Sequence, residues 1–173
     1  MKVNKFIKSK IEKNYFFITG KINIDTKYFT NQIEKGINNN NNQSFKTNLL
    51  CEMTDWKYFL NDIKFIKTIL PFSDLIQEEN LNEDNSWSLK DAWGFKQSFT
   101  NYTRIHDHHP CMISGAIMLN EHEQSLRFLN IDQELKSEPG NFALFSSFLK
   151  HGSERNKSDK PRYGLSFNYN RED

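Results

Sequence analysis

Apolar residues recur at helical spacing in the first half of this chain and at alternating spacing in the second. Asp25 can cap a helix over 26–34 that ends near Gly36, because its carboxylate accepts free backbone N–H groups. A second helix is predicted from residue 54 or 55, and Pro71 is expected to end it. Its apolar stripe predicts a face turned toward the core: Trp56, Phe59, Leu60, Ile63, Ile66 and Leu70.

Short alternating segments begin at residue 87 and predict β-strands separated by turn-forming residues. The predicted strands cover 15–19 in the first half, then 87–94, 97–108, 113–120, 125–130, 141–148 and 163–170. Such a series favours a sandwich or barrel. We therefore predict one mainly β domain over 1–173 with N-terminal helices. Residues 1–86 form a mostly helical support with a polyasparagine loop at 38–42, and residues 87–173 form the β core that carries the site.

Composition narrows the function classes. Hydrophobic residues make up 36% of the 173 residues and aromatic residues 14%, which is typical of a packed globule. The net charge of +1 does not indicate a nucleic-acid partner. No apolar run approaches the roughly 18 residues that span a bilayer, and lysines interrupt any signal-peptide core. Two cysteines make no disulfide framework, so an intracellular protein is expected. The abundance of Asn, Lys, Ile and Phe fits many bacteria and viruses, including a virus-encoded protein.

All five histidines lie between positions 106 and 151, and three fall in one run. Residues two apart in a strand point to the same face, so His106 and His108 can bind one metal ion. His151 can complete a three-ligand face from another strand. The usual iron triad contains two histidines and a carboxylate, so either all three histidines bind, or a bulge turns Asp107 inward.

Arg162 opens the last predicted strand and shares a face with Gly164, Ser166 and Asn168. An inward arginine is costly unless an anion meets it. Its planar guanidinium fits a carboxylate in bidentate fashion, which makes it an anchor for a dicarboxylate whose other end chelates the metal. The alternative is that Arg162 lies at the surface and pairs with one of three carboxylates: Glu154, Asp159 or Glu172.

Taken together, these motifs resemble the 2-oxoglutarate/Fe(II)-dependent oxygenases, especially their small bacterial and phage branch. The resemblance covers roughly residues 87–170. The matching segments are Trp93, His106-Asp107-His108, Ile113-Ser114-Gly115, Pro139-Gly140, Leu144-Phe145-Ser146-Ser147, His151, and the run from Arg162 to Asn168.

The resemblance implies a double-stranded β-helix, or cupin-like jelly roll, supported by α-helices. It implies that His106, His108 and His151 bind Fe(II), that Arg162 holds the distal carboxylate of 2-oxoglutarate, and that Ser166 assists it. The sequence departs from the family pattern at three places. His108 replaces the usual aspartate, Gly164 replaces a Ser or Thr two residues after the arginine, and Phe-Ser-Ser replaces Phe-Pro-Ser.

Alternation adds further candidates to this site. Tyr102 and Arg104 share parity with His106 and His108, so Tyr102 can hydrogen-bond the co-substrate and Arg104 can meet substrate. Ordinary strand packing and a rim ion pair are the alternatives for these two residues. His109 can support the ligands, whereas the remaining histidine, His122, falls in a predicted turn and is expected to be exposed.

The expected function is hydroxylation of a C–H bond with O₂ and 2-oxoglutarate, releasing succinate and CO₂. A cupin-type dioxygenase with three histidines and no 2-oxoglutarate is one alternative. A non-enzymatic jelly-roll binding module is another, because jelly rolls host many functions. The expected partner is an unidentified small-molecule or peptidyl substrate, with no membrane or nucleic acid, and the oligomeric state is left open.

Overall fold

The computed structural model describes residues 15–39, 48–79 and 87–172. Within these ranges the chain forms eleven strands and two helices. In chain order they are β1 (Phe17–Lys21), α1 (Thr26–Asn39), β2 (Leu49–Leu50), β3 (Glu52–Met53), α2 (Ile63–Glu79), β4 (Trp87–Gln97), β5 (Tyr102–His106), β6 (Ile113–Met118), β7 (His122–Phe128), β8 (Gln133–Ser137), β9 (Asn141–Ser146), β10 (His151–Ser153) and β11 (Arg162–Arg171). The prediction of a mainly β fold with N-terminal helices is confirmed.

Two antiparallel sheets make up the β core. The larger has the strand order β1-β9-β6-β11-β4-β3 and the smaller the order β2-β5-β10-β7-β8. Residues 48–54 connect the sheets along one side, because β2 pairs with β5 and β3 pairs with β4. This segment therefore lies across the edge between β4 and β5.

Alternation along the central strands builds two apolar layers. On β6, Ile113 and Ile117 face the helices and pack with Phe29, Phe65 and Phe167. On the opposite face of β6, Ala116 and Met118 point toward the smaller sheet. They pack with residues from β7, β8 and β9, namely Leu126, Phe128, Leu135, Ala143 and Phe145. The helices thus cover the outer face of the larger sheet, and the space between the sheets is left for polar side chains at one end.

The prediction for the second helix is wrong in its start, its end and its buried face. Asp62 caps α2 by accepting the Phe65 N–H at 2.8 Å, so the helix begins at Ile63. Residues 56–61 form turns. Pro71 lies inside the helix, where it and Lys67 are exposed, so water can satisfy the carbonyl that proline leaves free. The buried face contains Phe65, Ile69, Phe72 and Ile76, while Ile63, Ile66 and Leu70 are 69%, 41% and 63% exposed.

Other boundaries also differ from the prediction. Helix α1 continues through Gly36, which is buried against Tyr58, and ends at Asn39. The remainder of the predicted 38–42 loop lies outside the described residues. The predicted strand 97–108 is divided between β4 and β5, and His122 begins β7 rather than occupying a turn. The described helices include none that is long and apolar enough to span a membrane.

Close packing requires a glycine at the second position of the Ser-Gly motif, Gly115. It lies opposite Phe167 on β11, and a Cβ at this position would lie 2.0 Å from the ring. The Gly115→Ala variant is expected to lose about 2 to 3 kcal/mol of unfolding free energy, because the buried ring cannot move aside. Urea denaturation measures this loss. The Gly115→Ala, Phe167→Leu double variant should recover part of it, and an unchanged midpoint in the single variant would contradict the packing argument.

Candidate metal centre

Three histidines converge between the sheets. His106 ends β5, His108 follows it in the connecting loop, and His151 opens β10 directly opposite His106. Each offers one ring nitrogen to a group in which all three nitrogens lie within 4.8 Å of one another. The Nε2 atoms of His106 and His108 are 3.1 Å apart. This spacing suits three ligands on one face of a metal ion.

Hydrogen bonds fix which nitrogen each ring presents. The Nδ1 atoms of His106 and His151 donate to the carbonyls of Arg104 and Leu149, each at 2.8 Å. Nδ1 of His108 donates to Asn168 Oδ1 at 2.8 Å. A neutral imidazole that is protonated at Nδ1 has a lone pair at Nε2. Three lone pairs therefore point at one place, and a cation there would remove their mutual repulsion.

Burial keeps these rings neutral. It lowers the pKa of His108 to about 4, and the nearby His106 adds to this effect. Burial also lowers the pKa of His106, and it lowers the pKa of His151, with help from the other two rings. Neutral imidazole is the form that binds metal, so the site is ready for a metal ion at neutral pH.

These lowered pKa values predict that the metal-free protein loses stability as pH falls from about 6.5 to about 4. In this range the unfolded chain binds protons that the folded histidines do not, so the free energy of unfolding falls by up to about 1.4 kcal/mol per pH unit for each neutral ring. Urea denaturation with chelator at pH 7 and pH 5 measures the slope. His151→Gln should reduce it, whereas equal slopes in this variant and the wild type would disprove the assignment.

Asn168 and Ser114 hold His108 in place. Asn168 Oδ1 accepts the His108 Nδ1–H and also the Ser114 hydroxyl at 2.7 Å. The Ser114 hydroxyl lies 3.0 Å from His108 Nδ1. Both side chains project inward because they occupy inward positions of β11 and β6, which pair at Asn168 and Ser114. The serine of the Ser-Gly motif thus helps to orient the His108 ring, while the glycine allows close packing of Phe167.

Asn168→Leu is expected to weaken metal binding by about 10- to 100-fold, because a ligand that loses its orienting partner binds less well. Isothermal calorimetry with Ni²⁺ or Mn²⁺ measures the affinity. The matched control is Asn141→Leu, since Asn141 binds only a backbone carbonyl at the surface. Similar affinities in the two variants would show that Asn168 does not support the centre.

Asp107 lies outside the group of converging ligands. Its Oδ1 accepts the His109 backbone N–H at 3.3 Å, and its side chain borders a cleft beside the centre. A bulge does occur in this region, but it lies earlier in the strand and is not one that turns Asp107 inward. Pairing between β5 and β10 shifts register between the His106 and Thr103 positions.

Because of this bulge, Tyr102 and Arg104 do not face the site with His106, and the prediction for these two residues is wrong. Thr103 and His106 both line the inner cavity, whereas Tyr102 does not. Tyr102 instead lies under the guanidinium of Arg155, 4.6 Å from the ring centroid. Arg104 is exposed. Gly152 permits the bulge, because a Cβ there would lie 2.9 Å from the Thr103 carbonyl oxygen.

Arg162 is buried, with 1% of its surface exposed. Its Nη1 donates to the Gln124 carbonyl at 2.9 Å, and its Nε has no hydrogen-bond partner among the residues that the structure describes. Burial lowers its pKa to about 10, so it remains protonated at neutral pH. Within the described ranges it forms no ion pair, and the surface alternative is therefore wrong: Glu154, for example, pairs with Arg127.

One cavity contains both the histidines and this arginine. Its wall also includes Ser166, placed inward by the alternation of β11, and Thr103. The remaining wall is mostly apolar, with Phe95, Leu126 and Phe145. A buried cation without an ion pair in the described part of the chain and a cluster of three imidazole nitrogens therefore share one mostly apolar cavity.

Solved structures share this architecture. The viral collagen prolyl hydroxylase from Paramecium Bursaria Chlorella virus-1, as its 2-oxoglutarate complex, gives a TM-score of 0.66 at 14% identity, over 91% of this chain and 96% of that one. A Pseudomonas putida prolyl-4-hydroxylase gives 0.63 at 11% identity, over 91% and 93%. HygX from Streptomyces hygroscopicus, with nickel, 2-oxoglutarate and hygromycin B bound, gives 0.65 at 12% identity, over 90% and 82%.

The chain has the jelly-roll fold of the 2-oxoglutarate and Fe(II) oxygenases. No protein-family model and no curated protein matches the sequence. At these identities the likeness establishes the oxygenase fold, and the chemistry of the site depends on this chain's own residues.

The oxygenase fold also brings together residues that sequence reasoning missed. The inward direction of Thr103 could not be predicted from alternation, because the bulge in β5 interrupts the two-residue period. Asp91 pairs with Asn168 across β4 and β11 and borders the cleft beside the centre, together with Trp56 and Trp93. The pairing of β4 with β11 is regular from Gln97 to Asp91 and places Asp91 beside Asn168, but the sequence does not show which strands are neighbours. By contrast, His122 hydrogen-bonds the Lys160 carbonyl away from the centre.

Proposed function

We propose that this protein is a 2-oxoglutarate- and Fe(II)-dependent oxygenase that hydroxylates a C–H bond of a small-molecule or peptidyl substrate. The observation that carries the proposal is that Arg162, buried without a counter-ion, shares a cavity with three converging Nε2 atoms. A dicarboxylate that chelates the metal at one end and meets Arg162 at the other satisfies both features.

The donor set fits iron. Neutral imidazoles suit Fe(II), and a three-ligand face leaves positions open for a chelating co-substrate and O₂. His106, His108 and His151 would hold the ion, with Asn168 and Ser114 orienting His108. When bound, iron and 2-oxoglutarate supply the activation of O₂, in which one oxygen atom enters succinate as CO₂ leaves and the other becomes the hydroxyl of the product.

The chain's own residues would place the co-substrate. Arg162 would donate two hydrogen bonds to the distal carboxylate, and Ser166 and Thr103 lie on the same cavity wall to assist it. The carboxylate would give the unpartnered Arg162 Nε an acceptor. The phenylalanines of the wall exclude water, which strengthens this ion pair.

A three-histidine dioxygenase that works without 2-oxoglutarate is the second candidate. It is favoured by His108, which stands where a carboxylate completes the usual iron triad. It leaves the buried charge of Arg162 unexplained, so we prefer the first function.

Anaerobic titration with Fe(II) and 2-oxoglutarate tests the proposal. A weak visible metal-to-ligand charge-transfer band is expected when 2-oxoglutarate chelates bound iron, and succinate should then form on admission of O₂. Metal binding without this band would favour the second candidate. A protein that binds no metal would be a jelly-roll module without either activity.

A further inference from the structure

A cleft lies beside the histidines on a different side from Arg162. It shares Leu49, Trp93, His106 and His108 with the inner cavity, but Arg162 and Ser166 do not reach it. A molecule in this cleft would therefore approach the metal position without displacing the co-substrate. This makes the cleft the route by which substrate reaches the centre.

The cleft is negatively charged. Its two carboxylates, Asp91 and Asp107, are half-buried, and no lysine or arginine appears among the described residues that line it. Neither carboxylate forms an ion pair within the described part of the chain. Asp91 has a long hydrogen bond of 3.5 Å from Asn168, and Asp107 has one of 3.3 Å from a backbone N–H. Most of their acceptor capacity is free for a ligand.

Two tryptophans border the same cleft. Trp56 and Trp93 lie edge to face with their centroids 4.6 Å apart. Trp93 is only 1% exposed, and its indole N–H has no hydrogen-bond partner within the described residues. Indole faces attract cations, and this attraction grows when water is excluded. The aromatic walls and the carboxylates therefore favour the same kind of ligand group.

The loaded centre would not neutralise these carboxylates. Three neutral imidazoles add no charge, and Fe(II), 2-oxoglutarate and Arg162 together carry one positive charge. Against the two negative charges of Asp91 and Asp107, the cleft would then keep a net negative charge. A usual triad would contribute a ligand carboxylate to the metal, whereas here both carboxylates stand beside the centre and face the approach path.

We propose that the substrate is an alkylammonium or alkylguanidinium compound. Asp91 and Asp107 hold its ammonium or guanidinium group while a C–H bond of its alkyl chain reaches the metal position. This inference rests on the proposed function and names its substrate class. The reaction balances as hydroxylation: the C–H bond becomes C–OH, and 2-oxoglutarate and O₂ become succinate and CO₂. A free amine and a lysyl or arginyl side chain share this chemistry, and the probes described below distinguish them.

Binding of small probes to the anaerobic protein loaded with Fe(II) and 2-oxoglutarate tests the inference. Nα-acetyl-lysine methylamide and Nα-acetyl-arginine methylamide carry the cation on the side chain of a peptide-like unit. The third probe, n-pentylamine, carries the cation on a simple alkyl chain. N-acetyl-norleucine methylamide is the neutral match for lysine. Calorimetry at pH 8 gives the affinities, and the charge-transfer band reports whether a probe reaches the metal.

At least one cationic probe is expected to bind about tenfold or more tighter than the norleucine derivative and to perturb the band. Asp91→Asn and Asp107→Asn should each reduce that preference several-fold without weakening norleucine binding. Asp159→Asn, an exposed carboxylate outside the cleft, is the matched control. Tighter binding of pentylamine would identify a free amine, and tighter binding of the acetylated probes would identify a peptide-borne cation.

The inference would be overturned if none of the three cationic probes bound more tightly than the norleucine derivative, or if the preference were undiminished in both cleft variants. If the band forms and no cation is preferred, the substrate class alone is wrong. If the band never forms, the proposed function fails and this inference fails with it.

Discussion

Replacing Arg162 with methionine is expected to weaken 2-oxoglutarate binding by at least about 100-fold while metal binding persists. A buried guanidinium that meets a carboxylate makes charge-assisted hydrogen bonds, and removal of one partner of such a pair typically costs about 2 to 5 kcal/mol. Arg162 lines the cavity but is not among the converging metal-binding residues. Titration of the charge-transfer band measures 2-oxoglutarate affinity, and calorimetry with Ni²⁺ measures metal affinity.

The variant should fold, since replacement of a buried charge by an apolar side chain of similar volume is often neutral or stabilising. Arg127→Met is the control, because Arg127 is exposed and pairs with Glu154 at the surface. Wild-type affinity for 2-oxoglutarate in Arg162→Met would remove the argument for the co-substrate. Loss of metal binding together with 2-oxoglutarate binding would mean that the substitution disturbs the whole cavity.

Replacing His151 with alanine is expected to weaken metal binding by at least about 100-fold and to abolish the charge-transfer band. His151 would provide one of the three proposed ligands, and even an outer partner of a metal ligand is worth 10- to 100-fold in affinity. Its Nδ1–H bond to the Leu149 carbonyl fixes the ring, so a shorter side chain cannot replace its Nε2. Calorimetry with Ni²⁺ or Mn²⁺ on the chelator-treated protein measures the change.

His122→Ala should retain wild-type metal affinity, because His122 lies outside the cluster. Full metal binding by His151→Ala would show that the ion is held elsewhere, for example by Asp107 with His106. A variant that fails to fold would be recognised by its far-UV circular dichroism before any metal is added.

The sequence predicts much of the site where alternation is regular. The pairing of β11 is continuous with β4 from Arg162 to Asn168 and with β6 from Gly164 to Tyr169, so the expected inward face is the face that the structure shows. His106 and His108 lie close together, although His108 belongs to a loop held by the Ser147 carbonyl. Their joint position thus depends on a backbone contact that the residue pattern does not indicate.

Sequence patterns fail where structure depends on contacts distant along the chain. Helix α2 has apolar residues on both faces, and periodicity selects the stripe that includes Ile63 and Leu70, which the structure exposes. Strands β2, β3 and β10 contain two or three residues each, too few to show a period. Asp91 is acidic on a strand, and only its neighbours across the sheet reveal that it borders a cleft.

The bulge in β5 has a consequence for how this region tolerates changes in length. It allows Thr103 on the co-substrate wall and His106 at the metal to project into the same cavity from one short strand. Deletion of one residue between them would restore regular alternation, and both side chains would still face inward, because residues two apart in a strand point to the same face. The strand therefore contains one residue more than this common orientation requires, and loss of Arg104 or Ile105 should be tolerated better than a deletion that shifts Thr103 or His106 alone.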